Sequence, residues 1–204
     1  PELVRLQTFN IPIYKDTDRT QLALHAGLGL YAVLAGLHRH NLYHRLRPGL
    51  WDRLDGLSQN NLRAVFQYQD AQTDDSALTA AVMASAMSLG AEYQPNARML
   101  SADLNKQDIA VHYEQKGAVK TVHCRVMVNA SGPWVYPLNQ SITPSPLMKK
   151  PDLIQGAHLV LKRPLQQAYY MEAPQDKRAV FLLPWKGHAL LGTTENLFSG
   201  NPDN

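Results

Sequence analysis

The most informative stretch of this chain reads CRVMVNASGPW, from Cys124 to Trp134. A run of β-branched and sulphur-containing residues, Val126–Val128, ends in small residues and then in Gly132-Pro133. This pattern is typical of a strand that is buried on both faces and stops at the edge of a sheet. Small residues there let a ligand approach the backbone closely, as nucleotides do in open α/β sheets. Taken alone, the stretch more often marks a core strand followed by an ordinary turn.

Further motifs flank this stretch in a fixed order. DDSAL at Asp74–Leu78 opens a predicted helix, QGAHLV at Gln155–Val160 lies in a predicted strand, and LGTTE at Leu191–Glu195 ends another. AVFLLPW at Ala179–Trp185 lies between the last two. In this order and spacing, the chain resembles the FAD-dependent glycerol-3-phosphate dehydrogenases of the D-amino-acid-oxidase-like flavoprotein group. The resemblance extends from about Phe66 to the end of the chain.

The resemblance implies a mixed α/β fold. It combines part of an FAD-binding domain with an antiparallel-sheet substrate domain of the D-amino-acid-oxidase-like kind. We therefore expect residues 1–72 to form a helical or irregular cap that can face a membrane. Residues 73–132 are expected to be a portion of the FAD-binding domain, and residues 133–204 a portion of the substrate-binding domain.

Local patterns predict the elements of such a fold. Asp74–Gly90 reads as a helix that Thr73 or Asp74 caps, and Gln115–Ala118 reads as a hairpin turn. Five prolines between Gly132 and Pro151 exclude a helix interior or a central strand and predict a crossover loop. Strands are predicted over residues 92–94, 97–104, 108–114, 120–129, 153–162, 168–172, 178–183 and 188–194.

The resemblance also implies contacts with FAD. It places the backbone of Met99 beside the adenine, and it places Ala130, Ser131 and Gly132 in the loop that approaches the flavin nucleotide. Ser131 stands where the family more often has threonine, which preserves a hydroxyl group.

A G-x-G-x-x-G motif, whose backbone holds the pyrophosphate of a dinucleotide, does not occur in the sequence. We therefore expect an internal fragment whose FAD-binding unit and substrate-binding arginines lie outside these 204 residues. FAD is then a cofactor of the full-length parent. The isolated chain is predicted to carry no tightly bound FAD and no dehydrogenase activity.

His158 is the candidate catalytic residue. A histidine in a strand is more often a hydrogen-bonded core residue, but the resemblance places His158 at a pocket position that also binds substrate. Oxidation of a secondary alcohol requires removal of the hydroxyl proton as hydride leaves the adjacent carbon, and an imidazole is suited to that transfer. The resemblance puts Thr193 or Thr194 at the edge of the substrate or the flavin, although both residues also suit a plain strand.

Two departures from the family concern the substrate. Gln155 stands where the family usually has lysine, and Ala157 stands where it has serine. Loss of an ammonium group near a phosphorylated substrate weakens charge complementarity. The implied substrate, glycerol 3-phosphate, and the implied electron acceptor, quinone, are therefore less firmly indicated than the flavoprotein class.

The first third of the chain offers a candidate membrane contact. Residues 20–37 predict an apolar helix that is too short to span a bilayer. Basic residues follow it, at Arg39, Arg45, Arg47 and Arg53, and this combination suits a membrane surface as well as a core helix with a solvated loop. With the resemblance, it implies a cytoplasmic protein that associates peripherally with the cytoplasmic face of the inner membrane.

Composition excludes other classes. The formal net charge of +3 lacks the clustered basic footprint that nucleic-acid binding needs. Cys124 is the single cysteine, so no internal disulfide forms, and its apolar strand predicts a buried thiol. His40 and His44 share helical spacing, but no cysteine accompanies them and no metal site is predicted.

Two other functions remain open from the sequence. The first is an FAD-dependent oxidoreductase that acts on an amine or a 2-hydroxyacid. The second is a module without catalytic activity that binds a membrane or a partner protein. The Gly-Pro-Trp, Gly-x-His and Gly-Thr-Thr set favours the glycerol-3-phosphate dehydrogenases over the first of these.

Overall fold

The computed structural model describes residues 3–38, 41–105 and 107–203 of the chain. They form two compact units, each made of two chain segments. The first unit comprises Pro1–Val82 and Gly156–Glu195, and the second comprises Met83–Gln155 and Asn196–Asn204. The predicted mixed α/β fold class is confirmed. The boundaries differ from the three consecutive segments expected, because strands that are distant in the chain pair with one another.

The first unit is built on a seven-stranded sheet of order β2-β3-β1-β10-β11-β12-β9. β1 pairs antiparallel with β3 and parallel with β10, while the pairs from β10 to β9 are antiparallel, as predicted for the last third. The strands of this sheet are β1 Val4–Tyr14, β2 His44–Arg45, β3 Leu62–Thr73, β9 His158–Leu161, β10 Ala168–Glu172, β11 Ala179–Trp185 and β12 His188–Gly192.

Residues 1–72 thus differ from the expected helical or irregular cap. Two long strands, β1 and β3, occupy much of this segment, beside helix α1, Gln21–Leu34, and a short 3₁₀ helix at Pro48–Arg53. Phe9, Ile11 and Ile13 alternate with the period of a strand, so the signal was present in the sequence.

Successive residues of a strand point to opposite faces, and the seven-stranded sheet has two faces with different covers. On the face that we name the helix face, Ile11, Ile13 and Phe66 pack with Leu28 of helix α1. On the opposite face, which we name the loop face, Val65 and Tyr169 pack under the segment that follows β2, with contacts to Leu46, Leu50, Trp51, Leu54 and Leu57.

A buried polar group ties the parallel pair together. Asn10 of β1 is fully buried. Its Nδ2 donates to Oε1 of Gln167, 2.8 Å away, and to the carbonyl of Ala168, 3.1 Å away. Its Oδ1 accepts from Nε2 of Gln67 at 2.6 Å. Because these bonds join β3, β1 and the start of β10, they fix the register of β1 in the sheet.

The second unit contains a four-stranded sheet of order β6-β5-β4-β7. Lys116 and Gly117 join β5 to β6, and both have positive φ, at 54° and 75°. This is the two-residue hairpin turn that the sequence predicts. The elements are β4 Ala97–Leu104, β5 Ile109–Gln115, β6 Ala118–Cys124, α3 Val135–Gln140, β7 Ile142–Thr143, and the separate pair β8 Leu153–Gln155 and β13 Asn196–Phe198. Helix α2, Asp75–Ser88, begins in the first unit and ends in the second.

Three expectations for this part of the chain are corrected. β6 ends at Cys124, which is partly exposed, and Val126 and Val128 are 75% and 81% exposed instead of buried. No strand among the described residues pairs with residues 126–129, so their backbone groups form no sheet hydrogen bonds.

Residues 92–94 likewise form no strand. The proline-rich stretch contains helix α3, which tolerates Pro137 because the first turn of a helix needs no donor there.

Helix α2 begins as predicted. The Oδ1 atom of Asp74 accepts a hydrogen bond from the backbone N–H of Ala77, 3.1 Å away. This is the N-cap geometry that satisfies one free donor at a helix start.

Candidate active site on the edge of the sheet

His158 is the first residue of β9, the edge strand of the seven-stranded sheet. It lies opposite Gly192 of β12. A Cβ atom at Gly192 would lie 2.5 Å from Cδ2 of the imidazole, so the ring rests directly on the glycine backbone. His158 is exposed, and its imidazole is therefore an accessible group at the end of an ordered strand.

Residues that pair across neighbouring strands form a row on the helix face, which we name the His158 row. It begins at His158 and runs through Gly192. Gly192 lies opposite Phe181 of β11, and Phe181 lies opposite Tyr170 of β10. The two aromatic rings are 4.8 Å apart between centroids. The guanidinium of Arg19 stacks over the Tyr170 ring at 4.3 Å. Four strands thus present an imidazole, a bare backbone and two aromatic rings in one line, and Arg19 from the segment between β1 and α1 adds a cation at its end.

Thr193 and Thr194 follow β12, and Thr194 forms hydrogen bonds with Ala157, the residue before β9. The backbone N–H of Ala157 donates to Oγ1 of Thr194 at 2.9 Å, and the N–H of Thr194 donates to the carbonyl of Ala157 at 3.2 Å. The Oγ1 of Thr193 donates to the carbonyl of Thr194 at 2.9 Å and lies against Gly156, which has no side chain to obstruct it. The structure therefore brings both threonines to the segment that precedes His158.

The loop face carries a separate cleft of about 680 Å³. Both threonines line it, but His158 does not, because Ala157 and Leu159 point into the cleft and His158 points the other way. At its rim, the carboxylate of Glu172 is 4% exposed and pairs with Nζ of Lys177 at 3.6 Å. The apolar floor is formed by Pro12, Leu159, Met171, Val180 and Leu191.

Each face of the sheet contains a tyrosine whose pKa is raised. On the helix face, burial raises the pKa of Tyr68, and the negative charge of Asp70 raises it further. On the loop face, burial raises the pKa of Tyr169, and its hydrogen bond to Oδ2 of Asp55, 2.9 Å long, adds to the shift. Both hydroxyls are therefore held in the neutral form at physiological pH.

The residues that the resemblance assigns to FAD lie in the second unit. Met99 is in β4 opposite Tyr113, and it is partly buried. Ala130, Ser131 and Gly132 form the loop before helix α3. The sequence did not single out Asn129, which orders this loop by accepting from the Ser131 hydroxyl at 2.7 Å and donating to Oδ1 of Asn139 at 2.8 Å.

This loop fits close contact with one edge of a dinucleotide. Ala130 and Gly132 are exposed, and a Cβ at Gly132 would meet no atom within 4 Å. Gly132 also has a φ of 58°, a conformation that favours glycine. The chain holds no glycine-rich helix start, so the donors that a pyrophosphate needs are not among its residues. The described residues therefore fit part of FAD.

Neither a metal centre nor a membrane span is found in the described part of the chain. No group of three or more His, Cys, Asp or Glu side chains there is arranged to hold a metal ion. His40 lies outside the described residues. No described helix has the length and apolar character needed to cross a bilayer.

Two solved structures share the fold of this chain. The fold matches a glycerol-3-phosphate dehydrogenase from Bacillus halodurans complexed with FAD, with a TM-score of 0.75 and 22% identity over 98% of this chain and 36% of that chain. It also matches an FAD-bound L-α-glycerophosphate oxidase from Mycoplasma pneumoniae, with a TM-score of 0.74 and 13% identity over 97% and 51% of the two chains. At these identities the two structures define the fold, and a family match defines the class of protein.

The chain belongs to the FAD dependent oxidoreductase (DAO) family, which matches residues 2–204. It is 29% identical, over 97% of its length, to the aerobic glycerol-3-phosphate dehydrogenase of Staphylococcus aureus strain MRSA252. The chain spans 37% of the length of that relative. The resemblance seen in the sequence motifs is thereby confirmed.

Proposed function

We propose that this chain supplies the catalytic base and part of the substrate pocket of an FAD-dependent glycerol-3-phosphate dehydrogenase. The reaction converts sn-glycerol 3-phosphate to dihydroxyacetone phosphate and passes the electrons to quinone. One observation carries the proposal: an accessible imidazole, His158, rests on Gly192 at the open edge of the sheet. The 29% identity to an aerobic glycerol-3-phosphate dehydrogenase supports the substrate class.

His158 accepts the proton of the substrate's C2 hydroxyl as the C2–H bond breaks. Bound FAD supplies the acceptor for the hydride, and the ketone forms at C2. The bare backbone at Gly192 makes room for the imidazole itself, because a Cβ atom there would lie 2.5 Å from Cδ2 of His158. The paired ends of β9 and β12 hold the imidazole in place, and a fixed donor–acceptor geometry is what general base catalysis requires.

Thr193 and Thr194 contribute to substrate binding through the geometry of this strand end. The two backbone and side-chain bonds between Ala157 and Thr194 fix the residue before His158. We therefore assign the threonines to positioning the pocket edge. Gln155 and Ala157 in place of the family's lysine and serine leave this bonding intact, because Ala157 takes part through its backbone alone.

Replacement of His158 tests the mechanism. In the FAD-loaded enzyme, His158→Gln should lower turnover of glycerol 3-phosphate by about 10²- to 10⁴-fold, the usual contribution of a positioned base. Flavin content, read from absorbance, should not change. His188→Gln is the matched control, because His188 is also exposed on this sheet and bonds only to the carbonyl of Lys186. Near-normal turnover, or loss of FAD, in His158→Gln would make His158 a structural residue.

FAD contacts are proposed for Met99, Ala130, Ser131 and Gly132 on one side of the cofactor. The open Gly132 backbone and the ordered Ser131 support them. Since the pyrophosphate donors are not among these residues, the isolated chain is predicted to purify without tightly bound FAD and without activity. Stoichiometric flavin absorbance in the purified 204-residue chain would contradict this.

Peripheral contact with the cytoplasmic face of the inner membrane is proposed for helix α1. Leu28 and Ala32 are buried against the sheet. The opposite side of the helix is also apolar but exposed, which is the composition of an interfacial helix. Exposed arginines follow at Arg45 and Arg47, and they suit anionic lipid. The exposed side carries Leu22, Leu30, Val33 and Leu34.

Vesicle sedimentation tests the membrane contact. The enzyme should bind anionic phosphatidylglycerol vesicles at low salt, and Leu30→Gln with Leu34→Gln should weaken that binding. Leu78→Gln is the control, because Leu78 is an exposed leucine of helix α2. Equal binding by the double variant and the control would exclude α1 as the contact.

A further inference from the structure

We propose that Arg19 binds the anionic end of the substrate on the helix face of the sheet. The inference rests on the proposed function, because it assigns a contact within the same site. The guanidinium lies 4.3 Å from the centre of the Tyr170 ring. Stacking of this kind fixes the plane of the guanidinium while its N–H donors stay available. Within the described ranges, those donors make no hydrogen bond or ion pair.

The segment around Arg19 is anchored on both sides. The backbone N–H of Asp18 donates to Oε1 of Glu172, 3.0 Å away. Thr20 caps helix α1, and its Oγ1 accepts from the N–H of Ala23 at 3.1 Å. Arg19 therefore projects from an ordered turn, and little conformational entropy is lost when its guanidinium engages a ligand.

The spacing along the row suits a short phosphate ester. The imidazole of His158 rests over Gly192, and Gly192 is two strands away from Tyr170, which corresponds to about 10 Å. Hydrogen bonds of about 3 Å at each end, to the C2 hydroxyl oxygen and to a phosphate oxygen, leave about 4 Å between these two oxygens. A bent conformer of glycerol 3-phosphate supplies this separation, and Phe181 would lie beneath its carbon chain.

A guanidinium also matches the chemistry of the ligand. Its planar fork donates two parallel hydrogen bonds to a phosphate or carboxylate, which a lysine cannot do. Arg19 supplies this cation at the Tyr170 end of the row.

Titration with inorganic phosphate tests Arg19 independently of turnover. In the FAD-loaded enzyme, calorimetry should show that Arg19→Gln raises the dissociation constant for phosphate by about 10- to 100-fold. Arg19→Lys should recover part of the affinity, because it keeps the charge but loses the fork. Arg5→Gln is the matched control and should bind phosphate as the wild type does, because Arg5 makes only exposed bonds to Gln72. Circular dichroism verifies that each variant is folded.

Steady-state kinetics separate this proposal from the proposed function. Arg19→Gln should raise KM for glycerol 3-phosphate more than it lowers kcat, whereas His158→Gln should act mainly on kcat. A wild type that does not oxidise glycerol 3-phosphate refutes the proposed function, and the phosphate titration still decides on Arg19. Equal phosphate affinity in wild type and Arg19→Gln, or no phosphate binding by the wild type, overturns the role of Arg19.

Discussion

The helix face and the loop face of the seven-stranded sheet are made from alternate residues of the same strands, yet they hold different sites. On the helix face, α1 covers one end and leaves the His158 row open at the other. On the loop face, the segment after β2 covers one end and leaves a cleft lined by Leu159 and Thr193. Residues 158 and 159 are neighbours in the chain, but they serve opposite faces.

This contrast shows how a single strand can support two sites without conflict. A substitution at His158 alters the row and leaves the cleft wall intact, because the side chains point in opposite directions. The covered ends differ as well. Aromatic packing by Phe9, Phe66 and Tyr68 dominates the helix face, whereas Asn10 places a polar network in the core of the loop face.

The sharpest test of the comparison uses two adjacent core residues, Phe66 on the helix face and Val65 on the loop face. Both are fully buried. Phe66→Ala should lower the free energy of unfolding by about 3 to 5 kcal/mol. Val65→Ala should cost about 2 kcal/mol, since it removes less apolar volume. Urea denaturation measures both free energies of unfolding. A larger loss for Val65→Ala than for Phe66→Ala would contradict the expected order.

The polar network of the loop face should show the next largest effect. Asn10→Leu leaves Gln67 and Gln167 without their partner in a buried place, which should cost about 1 to 3 kcal/mol. His44→Ala is the control, because His44 bonds to Gln67 at 2.8 Å from an exposed position and should cost about 0.5 kcal/mol or less. Equal losses of unfolding free energy in the two variants would mean that the buried hydrogen bonds of Asn10 do not stabilise the fold.

The smallest effect concerns alkaline pH. Tyr169 has a raised pKa, so the folded protein keeps its proton while the unfolded chain releases it above about pH 10. Stability is therefore fully present below that pH and falls as pH rises further, by at most about 1.4 kcal/mol per pH unit. Tyr169→Phe should flatten this fall without changing its direction, because Tyr68 on the helix face still contributes.

Denaturation between pH 8 and pH 11 provides the measurement. An unchanged slope in Tyr169→Phe would show that the hydroxyl ionises as easily in the folded protein as in the unfolded chain. Tyr93→Phe is the control, because Tyr93 is 54% exposed.

Much of this fold was predictable from local signals. The turn at Lys116-Gly117, the cap at Asp74 and strand β10 lie where short-range patterns placed them. These features depend on neighbours within a few residues, so sequence alone contains their physical cause. The motif set also identified the family, which the comparisons confirm.

The missed features depend on distant partners. Val126–Val128 has the composition of a buried strand, but burial requires an adjoining strand, and the described residues provide none. β1 is a strand because β3 and β10 flank it, and neither is near it in sequence. At the site, the sequence predicted His158, Thr193 and Thr194, but not that they occupy opposite faces. Arg19 gave no signal, because its importance comes from the Tyr170 ring more than 150 residues away.

The parallel pairing of β1 with β10 has a consequence for synthesis of the chain on the ribosome. β1 can pair with β3 as soon as β3 has been synthesised. Its other edge stays unpaired until Ala168 and Tyr169 emerge from the ribosome. At about 5 to 20 residues per second, the interval from the end of β3 to β10 lasts about 5 to 20 s. During that interval, the edge of β1 around Phe9 and Asn10 is available to other nascent chains. Polysomal crowding and holdase chaperones should therefore influence the yield of this protein more than its final stability does.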